Sequence, residues 1–203
     1  INQSQVKTDI GYTFAAALRQ ILRQDPNIIM VGEVRDEETA NLVVHASLTG
    51  HIVLSTIHTN SAVGVILRLI DMGIKPFLIP STLKVAISQR LIRTLCEKCK
   101  KKVAISEKVK AYITKNLKTL PVSARKEIEI NENTCVFEAN GCEACNFKGY
   151  KGRTGLYEVL SMTEEIVAVI LKNPVESLIL DVAQKQGMRT MAQEGIFKAL
   201  AGE

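Results

Sequence analysis

The chain has no tryptophan, and aromatic residues make up only 4% of its 203 positions. Stacking platforms for single-stranded nucleic acid are therefore scarce. No apolar run approaches the ~20 residues that a membrane helix needs, so no membrane-spanning helix is expected. The amino end, Ile1-Asn2-Gln3-Ser4, has neither Met nor a signal-peptide pattern. A chain that starts this way is expected to be cut from a longer one. The other end, Leu200-Ala201-Gly202-Glu203, stops just after an apparent helix. The most consequential absence is chemical. No Gly-Lys pair occurs anywhere, so there is no G-x-x-x-x-G-K-[ST] loop to cradle phosphates.

What is present reads as a folded protein. Hydrophobic residues are 46% and charged residues 23% of the chain, a globular rather than a disordered balance. The length allows one large or two small domains. Net charge is +5, with much of the excess in Lys98–Lys102 and Lys108–Lys118. A basic patch can mean nucleic acid or simply a solvated surface. The five cysteines, without a secretory signal, point to a reducing compartment, where clustered thiols bind metal more often than they form disulfides.

Along the chain, residues 1–95 alternate helix and strand patterns, 96–155 are rich in Cys, Gly and Lys, and 156–203 read as a short strand followed by helices. Residues 106–132 are polar and carry a helix-like stretch. Phe14, Ala17, Leu18, Ile21 and Leu22 mark one face of a helix. Arg19 and Arg23, four apart, project together from another face. Asp25-Pro26-Asn27 ends that helix. Ile28 to Val31 is a continuous apolar run, as expected of a strand covered on both faces. Asp36 is a candidate cap for a helix through about Leu48, closed by Gly50. His51 to His58 is the next strand, and Asn60 is a candidate cap for the helix that Gly73 closes. This order predicts parallel strands with right-handed crossovers.

Two titratable groups then occupy matching places. Glu33 follows one strand and His58 ends the next. Ligands of open α/β sheets bind outside the carboxyl ends of strands, so neighbouring strands would put both groups in one crevice. The plainer readings are a surface Glu33 paired with Arg35, and a His58 bonded to Thr56 or Thr59. His45, inside a helix, reads as structural.

These stretches carry a family resemblance. "TFAAALRQILRQDPNIIMVGEVRDEETA" and "ASLTGHIVLSTIHTNSA" closely resemble the ATPases of type II secretion and type IV pilus assembly, and "INQSQV" fits what precedes the block in them. The resemblance implies a partial RecA-like parallel sheet with flanking helices. It makes Ile28 to Glu33 the Walker B element, with Gly32 where other P-loop enzymes have Asp, so that Mg²⁺ is held less directly. It makes "TGHIVLSTIHT", including His51, the histidine box, with His58 facing the γ-phosphate of ATP. Arg19, Arg23 and Arg35 match family arginines of ATP hydrolysis or subunit contact. The Walker A and aspartate-box residues are expected upstream of Ile1. The implied assembly is a cytoplasmic homo-hexamer, peripheral at the inner membrane through platform and cytoplasmic assembly proteins, with no nucleic acid expected. Secretion and pilus assembly both use this block, so both remain open. A zinc-bearing nucleic-acid-binding module or a scaffold are the competing functions.

The thiols have their own pattern. "CEKC" (Cys96, Cys99) and "CEAC" (Cys142, Cys145) are two C-x-x-C knuckles. Four such thiolates suit tetrahedral Zn²⁺ and leave no open position, so the zinc is expected to be structural. Nearby lysines offset the negative charge of such a centre. A redox dithiol, disulfides or an iron–sulfur cluster are the alternatives. The long gap between the knuckles is expected to form an inserted lobe. The resemblance supports zinc, since secretion and assembly members carry a tetracysteine element and retraction members generally do not. Cys135 lies outside the pattern and reads as a small buried residue. In "GYKGRTGLYEVL", glycines permit tight turns, and Arg153 either acts or braces the turn. "EEIVAVIL" and "VESLILDVAQKQG" read as amphipathic helices that cover the sheet or dock a partner.

Overall fold

Thr13 starts the first helix, its hydroxyl accepting from the Ala16 amide at 3.1 Å. α1 runs Phe14–Ile21 and tightens into a 3₁₀ turn, Leu22–Gln24, that ends at Asp25 with a left-handed φ of 50°. The computed structural model describes residues 2–121, 130–131 and 134–203. After α1 come β1 (Ile28–Val34), α2 (Glu37–Leu48), β2 (Ile52–Ile57), α3 (Gly64–Asp71) and the short α4 (Ile79–Thr82). Then follow β3 (Val85–Leu95), β4 (Lys101–Ala104), α5 (Glu107–Leu117), β5 (Cys135–Glu138) and β6 (Tyr150–Ser161). The described elements end with α6 (Glu164–Lys172), α7 (Glu176–Lys185) and α8 (Met191–Ala201). Of the polar 106–132 stretch, α5 is the helical part; residues 122–129 and 132 lie outside the described residues.

The chain forms two compact units, Ile1–Ala86 with Ser161–Ile179, and Ile87–Leu160 with Leu180–Glu203. In the first, β1 and β2 pair in parallel, Ile28 opposite Ile52 through Val31 opposite Ser55. The crossover between them is α2, capped as its sequence predicts: Asp36 Oδ1 accepts from the Thr39 amide at 2.8 Å. Leu18, Ile29, Val31 and Ala46 form the buried centre under this pair, joined by Phe14, Ile21, Leu42 and Val53. Such alternation buries one face only. Ile28, Met30, Ile52 and Leu54 stand on the other face at 61, 74, 59 and 54% exposure. The expectation that β1 is covered on both faces is thus corrected: the apolar run lines a half-covered sheet, and its period-2 burial follows from the pleat. Asn60 does not cap α3. The N-cap position is Val63, without a side-chain cap, and Ser61 Oγ in the preceding turn accepts from the Gly64 amide at 3.0 Å.

The second unit explains how knuckles far apart in sequence meet. β3 pairs with β6, and β4 pairs antiparallel with β5, Lys101 opposite Glu138 through Ala104 opposite Cys135. The first knuckle sits between β3 and β4, the second between β5 and β6. The two strand pairs therefore bring the two connections to one place. Ile113, Leu117, Leu120 and Ile196 form the buried cluster of this unit. Gln193, 1% exposed, is satisfied by donating to the Asn116 carbonyl and to Thr119 Oγ1, both at 2.8 Å. No helix among the described residues is long and apolar enough to cross a membrane.

Candidate functional site

The ladder between β1 and β2 is irregular at the carboxyl end. Val31 faces Ser55 and Val34 faces Ile57, so Gly32 and Glu33 together oppose Thr56. A bulge of this kind re-aims the side chains beside it. Thr56 Oγ1 donates to the Gly32 carbonyl oxygen at 2.7 Å. A Cβ at Gly32 would lie 3.5 Å from the Phe14 ring, so the position Asp holds elsewhere is backed here by aromatic carbon.

Glu33, with 22% of its side chain exposed, receives His58 Nε2 at 3.2 Å and Arg35 Nε on the same carboxylate oxygen, Oε2. The carboxyl ends of the two strands thus bring Glu33, Arg35 and His58 into contact. Partial burial by itself would raise the Glu33 pKa; the hydrogen bonds from Arg35 and His58, together with their charges, outweigh it and hold the carboxyl below its ordinary 4.5. Glu33 is thus a carboxylate over the working pH range, with an imidazole and a guanidinium at hand.

The other predicted residues stand apart from this contact. Arg19 Nη2 pairs with Glu38 Oε1 at 2.5 Å and lines a shallow groove with Asp36, Asn41 and His45. Arg23 lies in the following 3₁₀ turn, exposed. His51 is at the amino end of β2, the opposite end from His58. Its Nδ1 donates to the Ala46 carbonyl at 3.0 Å and so closes the end of α2. Arg153 is exposed on β6. The residue that sequence reading assigned only as a neighbour of His58 is Thr56. Its contact with Gly32 depends on a bulge, and no residue pattern announces one.

In the second unit, the sulfurs of Cys96, Cys99, Cys142 and Cys145 all lie within 4.8 Å of one another. Edges of 3.9 Å (Cys96–Cys142), 3.8 Å (Cys99–Cys145) and 3.9 Å (Cys142–Cys145) are too long for disulfides. A tetrahedron of sulfurs at the Zn–S distance of about 2.3 Å has edges of about 3.8 Å, so the donor set fits that ion in size and chemistry. Backbone amides of Cys142 and Gly149 both donate to Cys145 Sγ at 3.2 Å. Burial would raise the Cys145 pKa, but these donors and the neighbouring thiols bring it down to about 6. Burial and the three other thiols push Cys99 up to about 12. A cation among the four removes that opposition. Cys135, half-buried on β5, is outside the cluster.

Solved structures share this α/β fold. The Legionella pneumophila ATPase DotB superposes with a TM-score of 0.62 at 24% identity, covering 98% of this chain and 42% of that one. The pilus retraction motor PilT with bound ADP gives 0.52 at 24% identity, covering 90% and 42%. The sequence then fixes the family: the profile described as Type II/IV secretion system protein matches residues 1–203, and the chain belongs to that family. The type IV pilus assembly ATPase PilB of Thermus thermophilus is 44% identical over all of this chain and 22% of its own length. Type II secretion system protein E of Dickeya dadantii is 42% identical over all of this chain and 37% of its own. The type II secretion system ATPase E of Vibrio cholerae is 47% identical over 84% of this chain and 31% of its own. The chain thus spans well under half the length of these relatives.

Proposed function

We propose that this chain carries the water-activating half of an ATP-hydrolysing site, together with a structural zinc module, in a homo-hexameric ATPase that powers type II secretion or type IV pilus assembly. The observation that carries this reading is the 3.2 Å contact between Glu33 and His58 at the carboxyl ends of adjacent parallel strands. Phosphoryl transfer to water needs an oriented nucleophile and charge neutralisation more than covalent catalysis. Glu33, ionised, orients the attacking water and accepts its proton. His58 contacts the γ-phosphate. Arg35, Arg19 and Arg23 supply the planar cations suited to phosphate oxygens. ATP and Mg²⁺ would be held by a phosphate loop carried elsewhere in the gene product, and Gly32 offers the metal no carboxylate.

The parallel β1–β2 pair joined through α2 supports a larger parallel sheet of the RecA-like kind. In this reading residues 1–95 are the catalytic part, 96–155 the tetracysteine lobe and 156–203 a carboxyl-terminal subdomain. Cys96, Cys99, Cys142 and Cys145 hold zinc, which supplies a cross-link between the two knuckles and no reacting position. The assembly is cytoplasmic, held at the inner membrane by platform and assembly proteins. The test compares ATP turnover by the full-length gene product with that of residues 1–203 alone. Turnover by the former and none above background by the latter is expected; comparable rates would contradict the divided site.

A further inference from the structure

A side chain on the other strand touches the bulge just before Glu33. β1 spends two residues, Gly32 and Glu33, where β2 spends one, Thr56. A bulge frees the backbone to swivel unless something pins it. Thr56 Oγ1 donates to the Gly32 carbonyl oxygen at 2.7 Å, one residue before Glu33 and two before His58. A single hydroxyl therefore ties the backbone that aims the carboxylate to the strand that delivers the imidazole. Val31 and Val34, buried on either side, fix the two ends of the bulge. Between them the Gly32–Glu33 peptide carries no buried side chain, and Gly32 has no Cβ to restrict it.

We propose that Thr56 is a positioning residue for hydrolysis: by holding the Gly32 carbonyl it fixes the Glu33 carboxylate at His58. The proposal rests on Glu33 being the water-activating group, and the experiment separates the two. Thr56→Val keeps the shape and removes the donor; Thr56→Cys keeps the size and weakens the donor; Thr56→Ser keeps the hydroxyl. Misplacement of a reacting group by about 1 Å costs on the order of 10²-fold. In the full-length gene product, T56V and T56C are expected to lower kcat about 10- to 100-fold with KM for ATP within twofold of wild type. T56S is expected to restore kcat to within threefold. A folded T56V or T56C with wild-type kcat, or a loss that appears in KM instead, overturns the proposal. If T56V does not fold, T56C decides by the same criteria, and if neither folds, a T56S that loses kcat as E33Q does overturns it. E33Q is measured alongside. Wild-type turnover by E33Q removes the underlying reading, whereas an inactive E33Q with a fully active T56V removes only the role of Thr56.

Discussion

Gly149→Ala tests whether the thiol module depends on one glycine. Gly149 has a φ of +74°, a region that costs an L-residue about 1–2 kcal/mol. A Cβ there would sit 2.6 Å from the Ala139 Cβ and 3.2 Å from its Cα. The obstacle includes backbone, so relief requires a main-chain shift, and overpacking of that sort costs about 1–3 kcal/mol. The sum is about 2–5 kcal/mol. Gly149 also joins the two knuckles: its amide donates to Cys145 Sγ at 3.2 Å, and its carbonyl accepts from the Cys96 amide at 2.9 Å. Outer partners of metal ligands are worth about 10- to 100-fold in metal affinity. Thermal unfolding and zinc competition with a chromogenic chelator read both effects. With about 2–4 °C per kcal/mol at this chain length, the midpoint of zinc-loaded G149A is expected to fall by about 4–20 °C, with zinc affinity down at least tenfold. A G149A protein that unfolds within 1 °C of wild type and holds zinc equally well would refute this reasoning.

Cys145→Ser is expected to lower bound zinc from about one ion per chain to near none by elemental analysis, because one fewer thiolate leaves the tetrahedron open; near-stoichiometric zinc would reject the assignment. Glu33 gives a pH dependence with a defined sign. Its folded pKa lies below its ordinary 4.5, so its contribution to stability is present above about pH 4.5 and is lost as the pH falls through the lower, folded value. Denaturation curves of wild type and E33Q should differ at pH 6 and converge toward pH 3, and a difference that grows on acidification would contradict the Arg35 and His58 contacts.

The helices and the parallel pair were legible because their signals are local. The α1 stripe, the Asp36 cap and the Gly50 and Gly73 stops each act within one or two turns of chain. Spacing also sufficed for the thiols: C-x-x-C twice marks the four cysteines whose sulfurs lie in one cluster. What stayed illegible depends on distant partners. β6 runs through Gly152 and Gly155, residues that read as turns, because pairing with β3 and the Tyr157 ring lying over Gly155 override local preference. α3 starts at Gly64 after Val63, with no side-chain cap, so Asn60 lies outside its first turn. The exposed side of β1 was misjudged since an apolar run says nothing of how many layers cover it.

The central claim is that Glu33 activates water beside His58, and Glu33→Gln in the full-length gene product tests it most directly. The substitution keeps the shape of the side chain and its reach to His58 while removing the negative charge that orients water. With ATP binding intact, measured by a fluorescent nucleotide, the hydrolysis rate is expected to fall by at least about 10²-fold, the scale of lost acid–base assistance. Hydrolysis at the wild-type rate by a folded, ATP-binding E33Q protein would contradict the account.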